Sequence, residues 1–208
     1  MVDTVTRLNT TDELSIEVEA VIRDKTVLAN GDTVINLQIF ETPLGKMIAC
    51  ATEKGICMLE FMDRDSYIEE LKNLKRLLNA TIEIIDNKHL KALEEQLYGY
   101  FAKKRKKFEL SLITPGTEFQ NKVWEKLMEI PYGKSRSYKQ QSIAVGNLGA
   151  IRAVGTANGA NRIAIVIPCH RVIGEDGSLT GYGGGLKRKK WLLEFESGAP
   201  QLFSEEWK

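Results

Sequence analysis

Cysteine and histidine are scarce in this 208-residue chain, at three and two copies. Cys50, Cys57 and Cys169 form an odd, sparse set, which excludes a disulfide framework and leads us to expect a reducing, cytoplasmic setting. They lack zinc-site spacing, and His89 and His170 are the only imidazoles, so no metal is expected. No run approaches the roughly 18 apolar residues that would span a bilayer, so no membrane partner is expected. Met1-Val2-Asp3-Thr4 lacks the basic-then-apolar opening of a secretory signal. Neither a GxGxxG fingerprint nor a P-loop lysine motif occurs, and no cofactor is expected. What remains is ordinary for one or two modest domains, with 43% apolar and 27% charged residues. The net charge of +1 divides unevenly, about −3 before Pro115 and about +4 from there on. A basic face is often merely solvated, but a phosphate-facing surface would need the surplus in this half.

The first half reads as a scaffold. Residues 1–32 are polar apart from an apolar-periodic patch, Leu14 to Ile22, which fits a frayed leader or an extra packed element equally well. Three strand-like runs follow, Val34–Phe40, Met47–Thr52 and Ile56–Phe61. The turns Thr42-Pro43-Leu44-Gly45 and Thr52-Glu53-Lys54-Gly55 separate them, so an antiparallel meander is expected. Cys50 and Cys57 fall inside strands and read as core filler. Asp65–Leu78 has helical spacing, and Thr81–Ile85 alternates like an edge strand. Asn87 caps a further predicted helix carrying Leu90, Leu93, Leu97, Tyr100 and Phe101 on one stripe. His89, in its first turn, has no partner in view and reads as a surface residue. The run Lys103–Lys107 suits a helix C-terminus. Leu110–Gly116 reads as a linker. The expected divisions are 1–32, 33–112 and 113–208.

The second half carries the chemistry. Thr117 caps a predicted helix with Phe119, Val123, Trp124, Leu127 and Met128 inward, and Ser137 caps another from Tyr138 to about Val145. After the turn Gly146-Asn147 a third helix spans Ala150–Asn158, giving the form of a helix-turn-helix. Gly149, Ala150, Ala153, Gly155, Ala157 and Gly159 are small, and Arg152 is the helix's one long cation. Such a surface suits close approach to a nucleic-acid groove or tight helix packing. Ile163–Ile167 reads as a buried strand or extended segment ending at Pro168-Cys169-His170-Arg171. Cysteine attacks only as thiolate, and a neighbouring imidazole takes the thiol proton. Glu196, closing the helix-like run Lys189–Glu196, is a candidate to orient that imidazole. A free cysteine is also commonly a small buried hydrophobe, so the pair alone leaves catalysis open.

Taken together, the motifs from Gly116 to Glu196 resemble the catalytic domain of the 6-O-alkylguanine-DNA alkyltransferases. They are Gly116-Thr117-Glu118-Phe119-Gln120, Ile130-Pro131-Tyr132-Gly133, Ser137-Tyr138, Arg152-Ala153-Val154-Gly155, Asn161, Pro168-Cys169-His170-Arg171-Val172, Leu179-Thr180-Gly181-Tyr182 and Lys190-Trp191-Leu192-Leu193. Their order and gaps agree throughout. The resemblance implies an α+β chain: a ribonuclease-H-like N-terminal domain with a small antiparallel sheet and helices, then a mainly helical, winged-helix-like DNA-binding domain. It implies direct transfer of an alkyl group from 6-O-alkylguanine in double-stranded DNA to Cys169, once per molecule, by a monomer without a cofactor.

By the same resemblance the third helix, with Ala150, Ala153 and Gly155, enters the minor groove. Arg152 fills the gap in the base stack and Tyr138 helps turn the nucleotide out, since chemistry inside a duplex requires extrusion. His170 with Glu196 deprotonates Cys169, and Asn161 ties the recognition helix to the thiol segment. Tyr182 and the Gly183 N–H meet charge on the departing guanine, Gly184 lies in the flexible backbone around it, and the carbonyls of Cys169 and Val172 take its amino group. Leu148 stands where many members have proline, and Gly183 where a polar side chain is common. A cysteine hydrolase or acyltransferase would use the same Cys-His-Glu trio but leaves Arg152 and Tyr138 without work. A binding-only relative would lack the nucleophile, and a transcription factor would leave Cys169-His170 unexplained.

Overall fold

The computed structural model describes residues 4–24, 33–64 and 66–199. The chain forms two compact units, 1–115 and 116–208. No helix among the described residues is long and apolar enough to cross a membrane.

The first unit is built on the expected meander: β2 (Val34–Thr42), β3 (Gly45–Thr52) and β4 (Gly55–Phe61), paired antiparallel in that order. Two short strands share the other edge of β2. Strand β1 (Thr6–Arg7) runs antiparallel beside Phe40–Glu41, and β5 (Thr81–Glu83) runs parallel beside Val34–Asn36. The edge strand is therefore shorter than the alternation of Thr81–Ile85 predicts: Ile84 and Ile85 lie outside it, and both side chains are exposed. Helices cover both faces of the sheet, so its strands are buried almost throughout. Ile35, Leu37, Ile39, Ile48 and Met58 pack with Leu71 and Leu74 of α3 (Tyr67–Leu77). Helix α4 (Lys88–Phe101) lies against β3 and β4.

The described part of residues 1–32 is a packed element. A one-turn helix α1 (Thr10–Glu13) precedes α2 (Ile16–Arg23), which Ser15 caps by accepting from the Val18 N–H. Val18 and Val21 enter the core beside Leu71 and Leu74. Their burial is worth about 1.5–3 kcal/mol each, which stabilises a two-turn helix too short to stand alone. Two expectations need correction. His89 has a partner, its Nε2 lying 2.9 Å from the Glu53 carbonyl oxygen. The segment read as a linker adds to the sheet, since Ile56 N–H donates to Ser111 O at 2.9 Å and Ile113 N–H to Ile56 O at 2.8 Å.

The second unit is helical: α5 (Glu118–Met128), α6 (Tyr138–Ala144), α7 (Ile151–Gly159) and α8 (Leu186–Ser197), with β6 (Arg136–Ser137) parallel to β7 (Val172–Ile173). Thr117 and Ser137 each close a reciprocal capping box with the glutamine three residues on. Helix α6, a 3-10 turn at Leu148–Ala150 and α7 make the predicted helix-turn-helix. Trp124 of α5 braces it by donating from Nε1 to the Ala157 carbonyl at 2.8 Å. Ile163–Ile167 is buried but is no strand. It folds into tight turns, with Ile167 N–H on Ile163 O at 3.0 Å and Ile165 at φ +69°. Backbone polar groups inside a protein must be paired. Here local turns and the Asn161 side chain, accepting from the Ile163 N–H at 3.0 Å, supply the pairing a neighbouring strand would have given.

Candidate active site

Cys169 opens a 3-10 turn, Cys169–Arg171, instead of ending an extended segment. Its thiol is buried, at 7% exposure, and the turn is fixed by Cys169 N–H on Ile167 O at 2.8 Å and Arg171 N–H on Pro168 O at 3.0 Å. Asn161, between α7 and this segment, donates from Nδ2 to Ile167 O at 2.9 Å and to Cys169 Sγ at 3.2 Å. One amide thus ties the end of α7 to the sulfur.

Helix α8 brings Glu196 to the turn. Its Oε1 is 2.9 Å from His170 Nε2, and both side chains are fully buried. The remaining imidazole nitrogen, Nδ1, is buried with no hydrogen-bond partner among the described residues. Burial lowers the His170 pKa below its ordinary 6.5, against the pull of Glu196, and so favours the neutral imidazole. For Glu196, burial acts to raise the pKa, but the bonds and charges of His170 and Arg171 outweigh it and hold the carboxyl well below the usual range. Gly133 completes this corner. Its N–H donates to Glu196 Oε2 at 3.2 Å, its φ is +72°, and a Cβ there would come within 2.8 Å of the Glu196 carbonyl oxygen. That close approach explains the glycine in Ile130-Pro131-Tyr132-Gly133.

Two cations here escape a reading of the sequence. Arg171 grips both oxygens of Glu196, Nε at 2.8 Å and Nη2 at 2.9 Å, and donates to Ile130 O at 2.6 Å. Lys189 of α8 is fully buried and donates to the carbonyls of Val172 and Thr180, both at 2.5 Å. Burial pushes its pKa down to about 8, opposed by the charge of Cys169. Its ammonium pins the backbone before Tyr182 to the backbone after Cys169. The spacing Lys189, Leu192, Glu196 puts all three on one helical stripe, a signal hidden by the basic run Lys187–Lys190 around it.

The other expected residues surround this core. The Tyr138 hydroxyl donates to Thr180 O at 3.2 Å and Gly181 O at 3.3 Å, and its ring lies 5.8 Å from Lys189 Nζ. Tyr182 presents its ring edge-on to His170, with centroids 6.3 Å apart. Val172 is buried, Gly183 is exposed, and Gly184 is buried with its carbonyl accepting from Arg188 at 3.1 Å. On α7, Arg152 and Ala153 are exposed, Gly155 is half-buried like Ala150 just before the helix, and Val154 and Ala157 are buried. One side of the small-residue face therefore packs inward, and the other faces outward around Arg152.

Over residues 118–198 the chain matches the DNA-binding domain of 6-O-methylguanine DNA methyltransferase, and over 35–114 that family's ribonuclease-like domain. It is 44% identical over 158 residues to the methylated-DNA–protein-cysteine methyltransferase of Methanosarcina barkeri, covering 76% of this chain and 94% of that protein. The chain belongs to this methyltransferase family. A methylated-DNA–protein-cysteine methyltransferase of Mycobacterium tuberculosis is 55% identical over 107 residues, covering 51% of this chain and 65% of that one. Among solved structures, the O6-methylguanine methyltransferase of Mycobacterium tuberculosis aligns with TM-score 0.68 and 36% identity, covering 81% of this chain and 96% of that one. The Mycobacterium tuberculosis protein OGT in complex with DNA aligns with TM-score 0.67 and 38% identity, covering 80% and 95%. These two methyltransferase domains match α5–α8 and the sheet unit in chain order.

Proposed function

We propose that this protein repairs duplex DNA by moving the alkyl group of 6-O-alkylguanine onto Cys169, once per molecule. The observation that carries this reading is the arrangement at one turn. A buried sulfur accepts from Asn161, and the adjacent His170 is held by Glu196 through one nitrogen while the other is left over. Membership of a family whose relatives are named for this transfer supports it.

The thiol proton passes to His170 Nδ1, through a water in the loaded site, and Glu196 stabilises the imidazolium. The thiolate attacks the alkyl carbon in line, forming the S–C bond as the bond from carbon to the guanine 6-oxygen breaks. The electron pair leaves with guanine, where the Tyr182 hydroxyl and the Gly183 N–H strengthen their hold as charge develops. The proton taken from sulfur returns to the base. The thioether left on Cys169 does not hydrolyse in neutral water, so the protein is consumed. Arg152 replaces the extruded nucleotide in the stack and Tyr138 assists its rotation. All these groups come from one chain, so a monomer suffices. The three free cysteines suit a reducing cytoplasm.

Incubation with duplex DNA carrying labelled 6-O-methylguanine is expected to move one equivalent of label to the peptide containing Cys169. Label that stays on DNA, or turnover beyond one equivalent, overturns the proposal. A cysteine hydrolase would show that continued turnover and would not use Arg152.

A further inference from the structure

We infer that Asn158 is a specificity residue that hydrogen-bonds the extruded guanine. The inference rests on the function proposed above. Asn158 lies in the last turn of α7 at 5% exposure, and both ends of its amide, Nδ2 and Oδ1, are buried without a hydrogen-bond partner among the described residues. Native proteins rarely leave such groups unpaired, because each unmet donor or acceptor forfeits its bonds to water. A side chain that folding alone would replace with leucine therefore has its partner in another state of the protein.

Its surroundings say which state. Asn161, three residues on, sends its amide to Cys169 Sγ, and the two positions are linked by Asn161 N–H on Asn158 O at 3.3 Å. Burial holds the pKa of the Tyr138 hydroxyl above its ordinary value, and the Asn158 amide, standing near that hydroxyl, pulls weakly the other way. That hydroxyl is already committed to the carbonyls of Thr180 and Gly181, and Asn158 falls short of bonding to it. Asn158, Gly181 and Cys169 are thus each linked to Tyr138 or Asn161, and the function proposed above requires an extruded base to come to this corner of the site to bring its 6-substituent to the sulfur. A carboxamide offers two donors and an acceptor in one plane, complementary to a purine edge that alternates ring nitrogens with an amino group. The other polar groups assigned to the base are backbone atoms or Tyr182, so Asn158 adds a side chain able to read guanine.

The test compares wild type with Asn158→Leu on duplexes carrying 6-O-methylguanine and its 2-deamino, 3-deaza and 7-deaza analogues, following methyl on Cys169 by intact mass. Wild-type reaction with the parent duplex must be seen first; its absence would sink the proposed function and not this inference. Asn158→Leu is expected to slow the parent reaction roughly tenfold, the scale of one hydrogen bond, through weaker capture at unchanged maximal rate. On the one analogue lacking the contacted atom the two proteins are expected to react alike. The melting temperature of Asn158→Leu is expected to stay level or rise, since an unpaired amide has been removed. A variant that matches wild type on the parent duplex overturns the inference. So does one slowed equally on every analogue, as an amide holding only solvent would be, or one that simply melts lower.

Discussion

The two units bury cysteine in opposite surroundings. Cys50 and Cys57, on β3 and β4, have no exposure and sit among isoleucine, leucine, methionine and valine. Burial pushes the Cys57 thiol up to about 12 and the Cys50 thiol well above its ordinary value. Cys169 is nearly as buried, yet Asn161, His170, Arg171, Lys189 and Glu196 stand around its turn, most of them buried too. Burial by itself makes a thiol inert. Burial among oriented donors, with an imidazole next in the chain, suits one to the nucleophile's role proposed above. The sheet unit surrounds its cysteines with apolar contacts, whereas the helical unit gathers buried charge, Arg171, Lys189 and Glu196, about the turn that carries Cys169.

That contrast breaks most easily at the sulfurs. Cys169→Ala is expected to abolish methyl transfer while DNA binding persists, whereas Cys50→Ala and Cys57→Ala keep the wild-type rate and lose roughly 1–2 kcal/mol of stability. Rates by intact mass and denaturant melts separate these outcomes, and a strong rate loss at Cys50 or Cys57 would erase the distinction. Next in size, Glu196→Gln strips Arg171 of its carboxylate and His170 of its anchor. Transfer is expected to fall about a hundredfold and stability by about 3–5 kcal/mol, the usual consequence of stranding a buried charge. Wild-type kinetics in that variant would show the buried charges to be scaffold only.

Arg152→Ala tests the outward side of the same unit. Repair of duplex is expected to slow about tenfold, as loss of one stacking partner would cause, with reaction toward free 6-O-benzylguanine nearly unchanged; equal losses on both would remove the stacking role. The smallest effect is on pH. Because burial lowers His170 below 6.5, its neutral, proton-accepting form persists as pH falls through 6.5, and the acid-side midpoint of the transfer rate is expected below that value. The same sign makes His170 a group whose contribution to stability is present above its unfolded pKa and lost as pH falls below it. Glu196, also held low, loses its contribution as pH falls through its folded value. A rate midpoint above 6.5 would contradict a neutral buried base.

Strong local signals survived translation into structure. Thr42–Gly45 and Thr52–Gly55 turn the meander as their residues dictate, and Thr117, Ser137 and Asn87 cap the helices they were read to cap. Weak ones failed for physical reasons. Five apolar residues at Ile163–Ile167 say that a segment is buried, not that a neighbouring strand exists to pair it. Alternation across Thr81–Ile85 carried no information on how far the segment stays paired with β2, which it leaves after Asn36 while β2 runs on to Thr42. The buried Arg171 and Lys189 were unreadable as such, because a cation looks solvated until its carbonyls and carboxylate are found.

The sequence alone determined that a cysteine and a histidine stand side by side at Cys169 and His170, in a motif the family shares. It also determined the helix-turn-helix, whose caps and spacing are local. Only tertiary structure decided the rest. Glu196 meets His170 across 26 positions and Gly133 across 63. Lys189 turns inward instead of outward, and neither amide atom of Asn158 is hydrogen-bonded among the described residues. Contacts between distant residues depend on how helices pack, and a one-dimensional pattern records only which face is apolar.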